Sequence, residues 1–246
     1  MIILGIDVGG SSIKAAPVDV ERGEIASGTA SVRTPQPATP DAVAQSLQTL
    51  AGQFEVGGPI GVAFPTVIKQ GEVCTAANID GSWIGVNAEA LVARVTGRRA
   101  VFLNDADAAG IAEMRFGAGR GQKGTVMMIT FGTGIGTALF IDGTLLPNSE
   151  LGHLEIKGRE AEDWASGRAR SAGKLDWAEW ATRVNEVLAA YQALLWPDVF
   201  ILGGGVTEQF SSFGHLLKSR AQIVPAHFRA HAGIVGAALV AASAGR

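Results

Sequence analysis

The chain has 246 residues, 47% of them apolar and 17% charged, with a formal net charge of −3. That balance fits one large or two small globular domains, excludes a disordered chain, and offers no basic field for nucleic acid or an anionic membrane. Cys74 is the only cysteine, which excludes an internal disulfide and any multi-thiolate zinc site.

Taken in order, residues 2–7 form an apolar run that stops at Asp7 and the turn Gly9-Gly10-Ser11-Ser12, and residues 13–19 predict a second strand. Residues 24–33 predict a third strand, 40–53 a helix, 59–64 a buried strand, 86–95 a short helix and 100–103 a buried strand ending at Asn104-Asp105. A helix follows over 106–116. The second half repeats the opening: a strand over 124–131, the turn Gly132-Thr133-Gly134-Ile135-Gly136, and a strand over 137–142. Gly9 to Asp19 and Gly132 to Asp142 each span ten positions, which predicts two lobes of related architecture. Residues 177–196 carry Trp177, Trp180, Val184, Val187, Leu188, Tyr191, Leu194 and Leu195 on one helical face, and Pro197 ends the helix. A strand over 199–202 enters Gly203-Gly204-Gly205, and an apolar helix covers about 232–243. Strands alternating with helices predict an α/β protein. No linker marks the division, which is set at 106 by inference, with 1–106 plus about 231–246 in one lobe and 107–230 in the other. No apolar stretch reaches the ~20 residues of a membrane span and the chain opens directly on a strand, so a soluble cytoplasmic protein is expected, without a DNA-binding module.

Several stretches carry candidate chemistry. In Asp7-Val8-Gly9-Gly10-Ser11-Ser12-Ile13-Lys14 the glycine N–H groups, two hydroxyls and a lysine suit an anion, and Asp7 suits Mg²⁺ held through water; an ordinary glycine hairpin would read the same. Thr133 and Gly134 lie in a second glycine turn that is neither a P-loop nor a dinucleotide fingerprint, because strand-like sequence follows it. Gly204 and Gly205 end a third strand. Asp105, at a strand end, suits a general base, or equally the cap of the next helix. Glu150 and His153 set a carboxylate and an imidazole three residues apart, suited to sugar hydroxyls or simply to a solvated turn. Arg168, Arg170, Lys174, Lys218, Arg220 and Arg229 form either a solvated surface or a track for an extended polyanion.

Together these segments resemble the ROK family of sugar kinases and regulators, closest to its polyphosphate glucokinase branch. The resemblance rests on GIDVGGSSIK at 5–14, NDADAAGIAE at 104–113, TFGTGIGTALFIDG at 130–143, ELGHLEI at 150–156, ILGGGV at 201–206 and IVPA at 223–226. It implies an actin-like (ribonuclease H-like) ATPase fold of two lobes around an interlobe cleft. It implies Asp105 as base for the 6-hydroxyl of glucose, with mannose as a second acceptor. Asn78, Asn104, Asp105, Glu150, His153 and Glu162 would bind the hexose. Gly9, Gly10, Ser11, Ser12, Lys14, Thr133 and Gly134 would hold the phosphates of polyphosphate or ATP with Mg²⁺, and Gly204 and Gly205 would border the nucleotide side. Many relatives carry a cysteine-rich zinc segment after the Gly-His pair; residues 154–167 contain no cysteine, so no zinc is expected and packing of Trp164 is expected to hold that loop. An ATP-only kinase for another hexose and an actin-like phosphohydrolase are the competing readings; a monomer and a homodimer stay equally open.

Overall fold

The computed structural model describes residues 1–244, which form two units: Met1–Ala112 with the segment from His231 onward, and Glu113–Ala230. The division falls inside a helix and not at 106.

In the first unit β1 (Ile2–Val8) pairs antiparallel with β2 (Ser12–Asp19), in register from Ile2↔Asp19 to Val8↔Ile13. The single strand expected over 24–33 is two short ones, β3 (Glu24–Ile25) and β4 (Ala30–Arg33), which pair with opposite ends of β2. Ser27 and Gly28, poor strand formers, occupy the break. Helix α1 (Pro40–Ala51) starts on its proline and buries Val43, Leu47 and Leu50. Strand β5 (Ile60–Phe64) is buried throughout and runs parallel to β1. A hairpin that the sequence does not announce, β6 (Ile68–Lys69) and β7 (Glu72–Val73), turns through Gln70 and Gly71, both at positive φ. Helix α2 (Ala88–Thr96) is capped by the Asn87 side chain and ends at left-handed Gly97. Strand β8 (Ala100–Asn104) lies parallel to β5 and passes directly into α3 (Asp105–Phe116).

In the second unit β9 (Thr125–Phe131), β10 (Ile135–Ile141) and β11 (Thr144–Leu146) form an antiparallel meander. The hairpin β12 (Glu155–Ile156) and β13 (Arg159–Glu160) leads into the short helices α4 (Ala161–Ala165) and α5 (Gly167–Ala172). Helix α6 (Trp177–Leu195) opens on a reciprocal Asp176–Glu179 capping box and buries Trp180, Val184, Val187, Leu188 and Tyr191. Leu194, expected on that face, is 61% exposed. Strand β14 (Val199–Gly203), α7 (Phe210–Phe213) and β15 (Gln222–Pro225) complete the unit, β14 and β15 parallel to β9.

The strand orders are β3-β2-β1-β5-β8 and β11-β10-β9-β14-β15. Each sheet is thus an antiparallel meander extended by two parallel strands, and the glycine turns of the ten-residue repeat occupy the same place in both. The chain then returns to the first unit as α8 (Ala232–Ala244), apolar on every side and packed on β1 and β5. Its approach is a backbone contact: a Cβ on Gly61 would stand 2.0 Å from the Ala237 carbonyl oxygen, and one on Gly236 would stand 1.7 Å from that of Ala108. Among the described residues no helix is long and apolar enough to cross a membrane.

Candidate active site

In the first unit the β1–β2 turn is closed by the Gly9 N–H, which donates to the Ser12 carbonyl at 3.0 Å, while the buried Thr34 hydroxyl donates to the Gly9 carbonyl at 2.6 Å. The Gly9 N–H is thus used inside the turn and shapes its backbone. Gly10 and Ser11 are exposed at the tip, and Ser12 and Lys14 are half-buried.

Asp7 is in register with Lys14 across the hairpin. Gly233 of α8 sits over its carboxylate, where a Cβ would come within 2.9 Å of Cγ. Burial pushes the Asp7 carboxyl up to about 6, and the Lys14 charge opposes that shift. A hard-oxygen ligand in so poorly hydrated a setting fits a magnesium ion that keeps its own water. A raised carboxyl contributes stability below the unfolded value of 3.8 that is lost as pH rises through about 6. Asp7→Asn is therefore expected to melt higher than the parent at pH 8, by about 1–3 kcal/mol after allowance for the solvent that reaches its edge. The gain should shrink at pH 5, and a thermal scan showing no gain at pH 8 would overturn this reading of Asp7.

At the end of β8 the Asn104 Oδ1 accepts the N–H groups of Ala106 at 2.9 Å and Asp107 at 3.1 Å, and its Nδ2 donates to the Thr66 carbonyl at 3.2 Å. Asn104, rather than Asp105, is the cap of α3. It is 6% exposed and anchors the strand end beneath its neighbour. The half-buried Asp105 accepts the Ala106 N–H on Oδ1 at 2.8 Å, which orients its carboxylate. Asn78 is exposed, just ahead of a loop anchored by buried Trp83, whose indole donates to the Ala38 carbonyl and packs edge-on against Phe64.

In the second unit three pieces converge on the β9–β10 turn. The Arg168 N–H donates to the Gly132 carbonyl at 3.0 Å, and the Gly132 N–H donates to the Gly134 carbonyl at 3.0 Å. Glu162, 8% exposed, accepts the Ile135 N–H on Oε2 at 3.2 Å. The Glu150–His153 turn lies against the same residue, since a Cβ on Gly152 would stand 2.1 Å from the Ile135 carbonyl oxygen. Thr133 is exposed at the turn's tip and Gly134 half-buried. Gly204, at φ 86°, reaches the last residue of β9 so closely that a Cβ would meet the Phe131 carbonyl at 2.3 Å, and exposed Gly205 follows. Only glycine serves at Gly204 on both counts.

His153 stands among carboxylates: its Nδ1 is 2.9 Å from Glu160 Oε2 and its Nε2 is 3.5 Å from Glu150 Oε2. The Glu160 hydrogen bond, ahead of the charges of Glu162 and Glu150, holds the imidazole above its usual range. Burial raises the Glu150 carboxyl, with the Glu162 charge adding to the effect and His153 opposing it. One atom each of His153, Glu160 and Glu162 lies within 4.8 Å of the others, a grouping that a cation could use. The 2.9 Å separation is that of a charge-assisted hydrogen bond, and the set has no thiolate to match a closed zinc site.

Supports that the sequence did not reveal come mainly from α6. The Tyr191 hydroxyl donates to the Leu151 carbonyl at 2.8 Å, the Trp180 indole to the Ala165 carbonyl at 2.9 Å, and Arg183 to the Trp164 carbonyl at 3.2 Å. Trp164 packs against the core and also carries the guanidinium groups of Arg159 and Arg183 at 4.7 and 4.0 Å from its ring centre. Its indole donates to Glu186, which pairs with Lys157. Of the basic residues, Arg168, Lys174, Lys218, Arg220 and Arg229 are exposed. Arg170 is instead stacked on Trp177 at 3.5 Å, and Arg220 lies over the exposed Trp196 ring at 4.8 Å.

The ROK family model matches residues 3–170. The chain is 47% identical over 236 residues to the polyphosphate glucokinase of Mycobacterium tuberculosis, covering 96% of this chain and 89% of that one. Among solved structures it is similar to an inorganic polyphosphate/ATP-glucomannokinase from Arthrobacter sp. strain KM, at TM-score 0.96 and 44% identity over 99% of both chains. It is also similar to a ROK family glucokinase from Streptomyces griseus in complex with glucose and AMPPNP, at TM-score 0.85 and 26% identity over 99% of this chain and 100% of that one. With the doubled strand order, these matches give the actin-like ATPase fold, as expected. Motif order, fold and identity over nearly the full length agree, and the chain belongs to the ROK family.

Proposed function

We propose that the protein is a cytoplasmic glucokinase that transfers a phosphoryl group from inorganic polyphosphate or ATP to the 6-hydroxyl of glucose, with mannose as a second acceptor. The observation that carries this reading is the double use of Ile135. Its N–H is bonded to Glu162 and its carbonyl is covered by Gly152 of the Glu150–His153 turn, so a set of hydroxyl-binding groups is built directly onto a glycine turn suited to phosphate. A phosphohydrolase needs such a turn but has no use for the carboxylate–imidazole set attached to it.

Phosphoryl transfer asks a protein chiefly for alignment and charge neutralisation. Glu150, His153 and Glu162 accept from and donate to the sugar hydroxyls, with Asn78 and Asn104 as further contacts. The Asp105 carboxylate, oriented by the Ala106 N–H, takes the proton of the attacking hydroxyl. Gly10, Ser11, Ser12, Lys14, Thr133 and Gly134 meet the donor's anionic oxygens, and Gly204 and Gly205 border a nucleotide when ATP is the donor. Magnesium, when bound through Asp7 and the donor phosphates, supplies charge neutralisation on the phosphate chain.

Polyphosphate has no base to recognise, so its binding leans on ion pairing with the exposed cations at Arg168, Lys174, Lys218, Arg220 and Arg229. Raising salt from 50 to 300 mM is expected to lower kcat/KM for polyphosphate by about 10-fold or more and that for ATP by much less. Equal salt slopes for the two donors would remove the basic track. Phosphate release from either donor in the absence of glucose, at a rate matching transfer, would favour the phosphohydrolase instead.

A further inference from the structure

We propose that Glu160 is a positioning residue for the hexose: it holds the His153 ring by Nδ1 and so dictates which nitrogen is presented to the sugar. The inference rests on His153 being a hexose ligand, as proposed above.

Glu160 occupies the N-cap position of α4 but makes no capping bond with its side chain. At such a position a carboxylate would ordinarily take a free N–H of the first turn. Here it is directed to the imidazole, with Oε2 2.9 Å from Nδ1. The β12–β13 hairpin explains how it gets there, since pairing of Glu155 with Glu160 and of Ile156 with Arg159 folds the chain back beside His153. The groups facing the ring are Glu150, Glu160 and Glu162, all carboxylates.

The two nitrogens of an imidazole are inequivalent once one is bonded. An ionised carboxylate can only accept, so Nδ1 must carry hydrogen while Glu160 holds it. All change of protonation is thereby confined to Nε2, the atom that faces Glu150 at 3.5 Å. Nε2 accepts from a sugar hydroxyl when the ring is neutral and donates when it is charged, and the ring cannot escape this choice by switching tautomer. Glu160 touches neither sugar nor donor in this account; it acts through His153.

Glu160→Gln tests this, because an amide can bond Nδ1 either as acceptor or as donor and loses the charge. In the parent protein, ¹⁵N spectra of labelled histidine should show the neutral His153 ring as the single Nδ1–H tautomer, and in the variant as a mixture. KM for glucose should rise by about 10-fold or more, the scale of a lost charge-assisted hydrogen bond, with kcat and the donor KM within about 3-fold. The ionisation seen in the pH profile of KM should move to lower pH, and Glu160→Asp should recover part of the loss. Glu160 is half-exposed, so the variants should fold, which their melting temperatures check. Unchanged tautomer and unchanged KM in Glu160→Gln would overturn the proposal, as would stoichiometric metal at His153 in the purified protein. His153→Ala with an unaltered KM for glucose would instead overturn the assignment of His153, and the spectra would still decide whether Glu160 governs the ring.

Discussion

Asp105→Asn is expected to lower kcat by at least ~10²-fold, the usual worth of a positioned general base, while the fold and the affinity for glucose survive. The substitution removes the proton acceptor. The amide is close to isosteric, and its carbonyl oxygen can keep the Ala106 N–H that orients the carboxylate at 2.8 Å. Capping of α3 is done by Asn104, so the cap survives a change at position 105. Glucose affinity should hold because the other proposed ligands are untouched. The measurement is kcat with saturating glucose and each donor, beside glucose titration by calorimetry and a thermal scan. Turnover near that of the parent would end the assignment of Asp105 as base, whereas loss of glucose binding would recast it as a ligand only.

Gly61→Ala and Gly236→Ala are expected to be the most destabilising single-methyl changes in the first unit. Neither new Cβ meets a side chain that could rotate away: Gly61 faces the Ala237 carbonyl at 2.0 Å and Gly236 the Ala108 carbonyl at 1.7 Å. Relief requires α8 to lift from β5 or α3 by more than an ångström, which opens gaps beneath neighbours such as Ile234 and Ala238, both fully buried. Overpacking of that kind typically costs about 1–3 kcal/mol and occasionally more; with backbone on both sides the upper end applies, about 3 kcal/mol each, or a fall of about 6–12 °C in Tm. Gly28→Ala is the control: nothing lies within 4 Å of its Cβ position, and a change within about 0.5 kcal/mol is expected. Equal melting temperatures for Gly61→Ala, Gly28→Ala and the parent would show that α8 does not seat as described.

The doubled architecture was legible because it is written locally. An apolar run, a glycine turn and a second run recur at the same spacing, and these become β1–β2 and β9–β10 with matching neighbours. What escaped was either too short or too distant. The β6–β7 and β12–β13 strands have two residues each, below the length at which alternation can be seen. Residues 24–33 read as one strand because both halves are strand-like and only the Ser27-Gly28 break separates them. Leu194 fits the helical period of α6 but faces solvent, while Leu195, one residue on, packs against the core. In the candidate site, the motif residues stand out within their own segments, while Tyr191, Trp180, Arg183 and Glu186 reach residues 151–165 across wide sequence gaps that periodicity cannot bridge. Glu160 was nearer, seven positions from His153, yet only a hairpin too short to announce itself brings the two together. Trp164 was expected to hold this loop by packing; it does pack on the core, and the cations of Arg159 and Arg183 on its ring were not foreseen.

Helix α8 also bears on how the protein is made. All of Glu113–Ala230 is one continuous stretch, so that unit can close as soon as its last strand leaves the ribosome. The first unit emerges earlier but lacks α8, which covers β1 and β5 and is translated only after the whole second unit. At about 5–20 residues per second, the nascent sheet waits roughly 10 s with that apolar face open, an interval in which chaperones or aggregation can claim it. The order of synthesis is therefore the reverse of the order of completion, and premature termination shortly before position 232 would strand the N-terminal unit unfinished while leaving its successor whole.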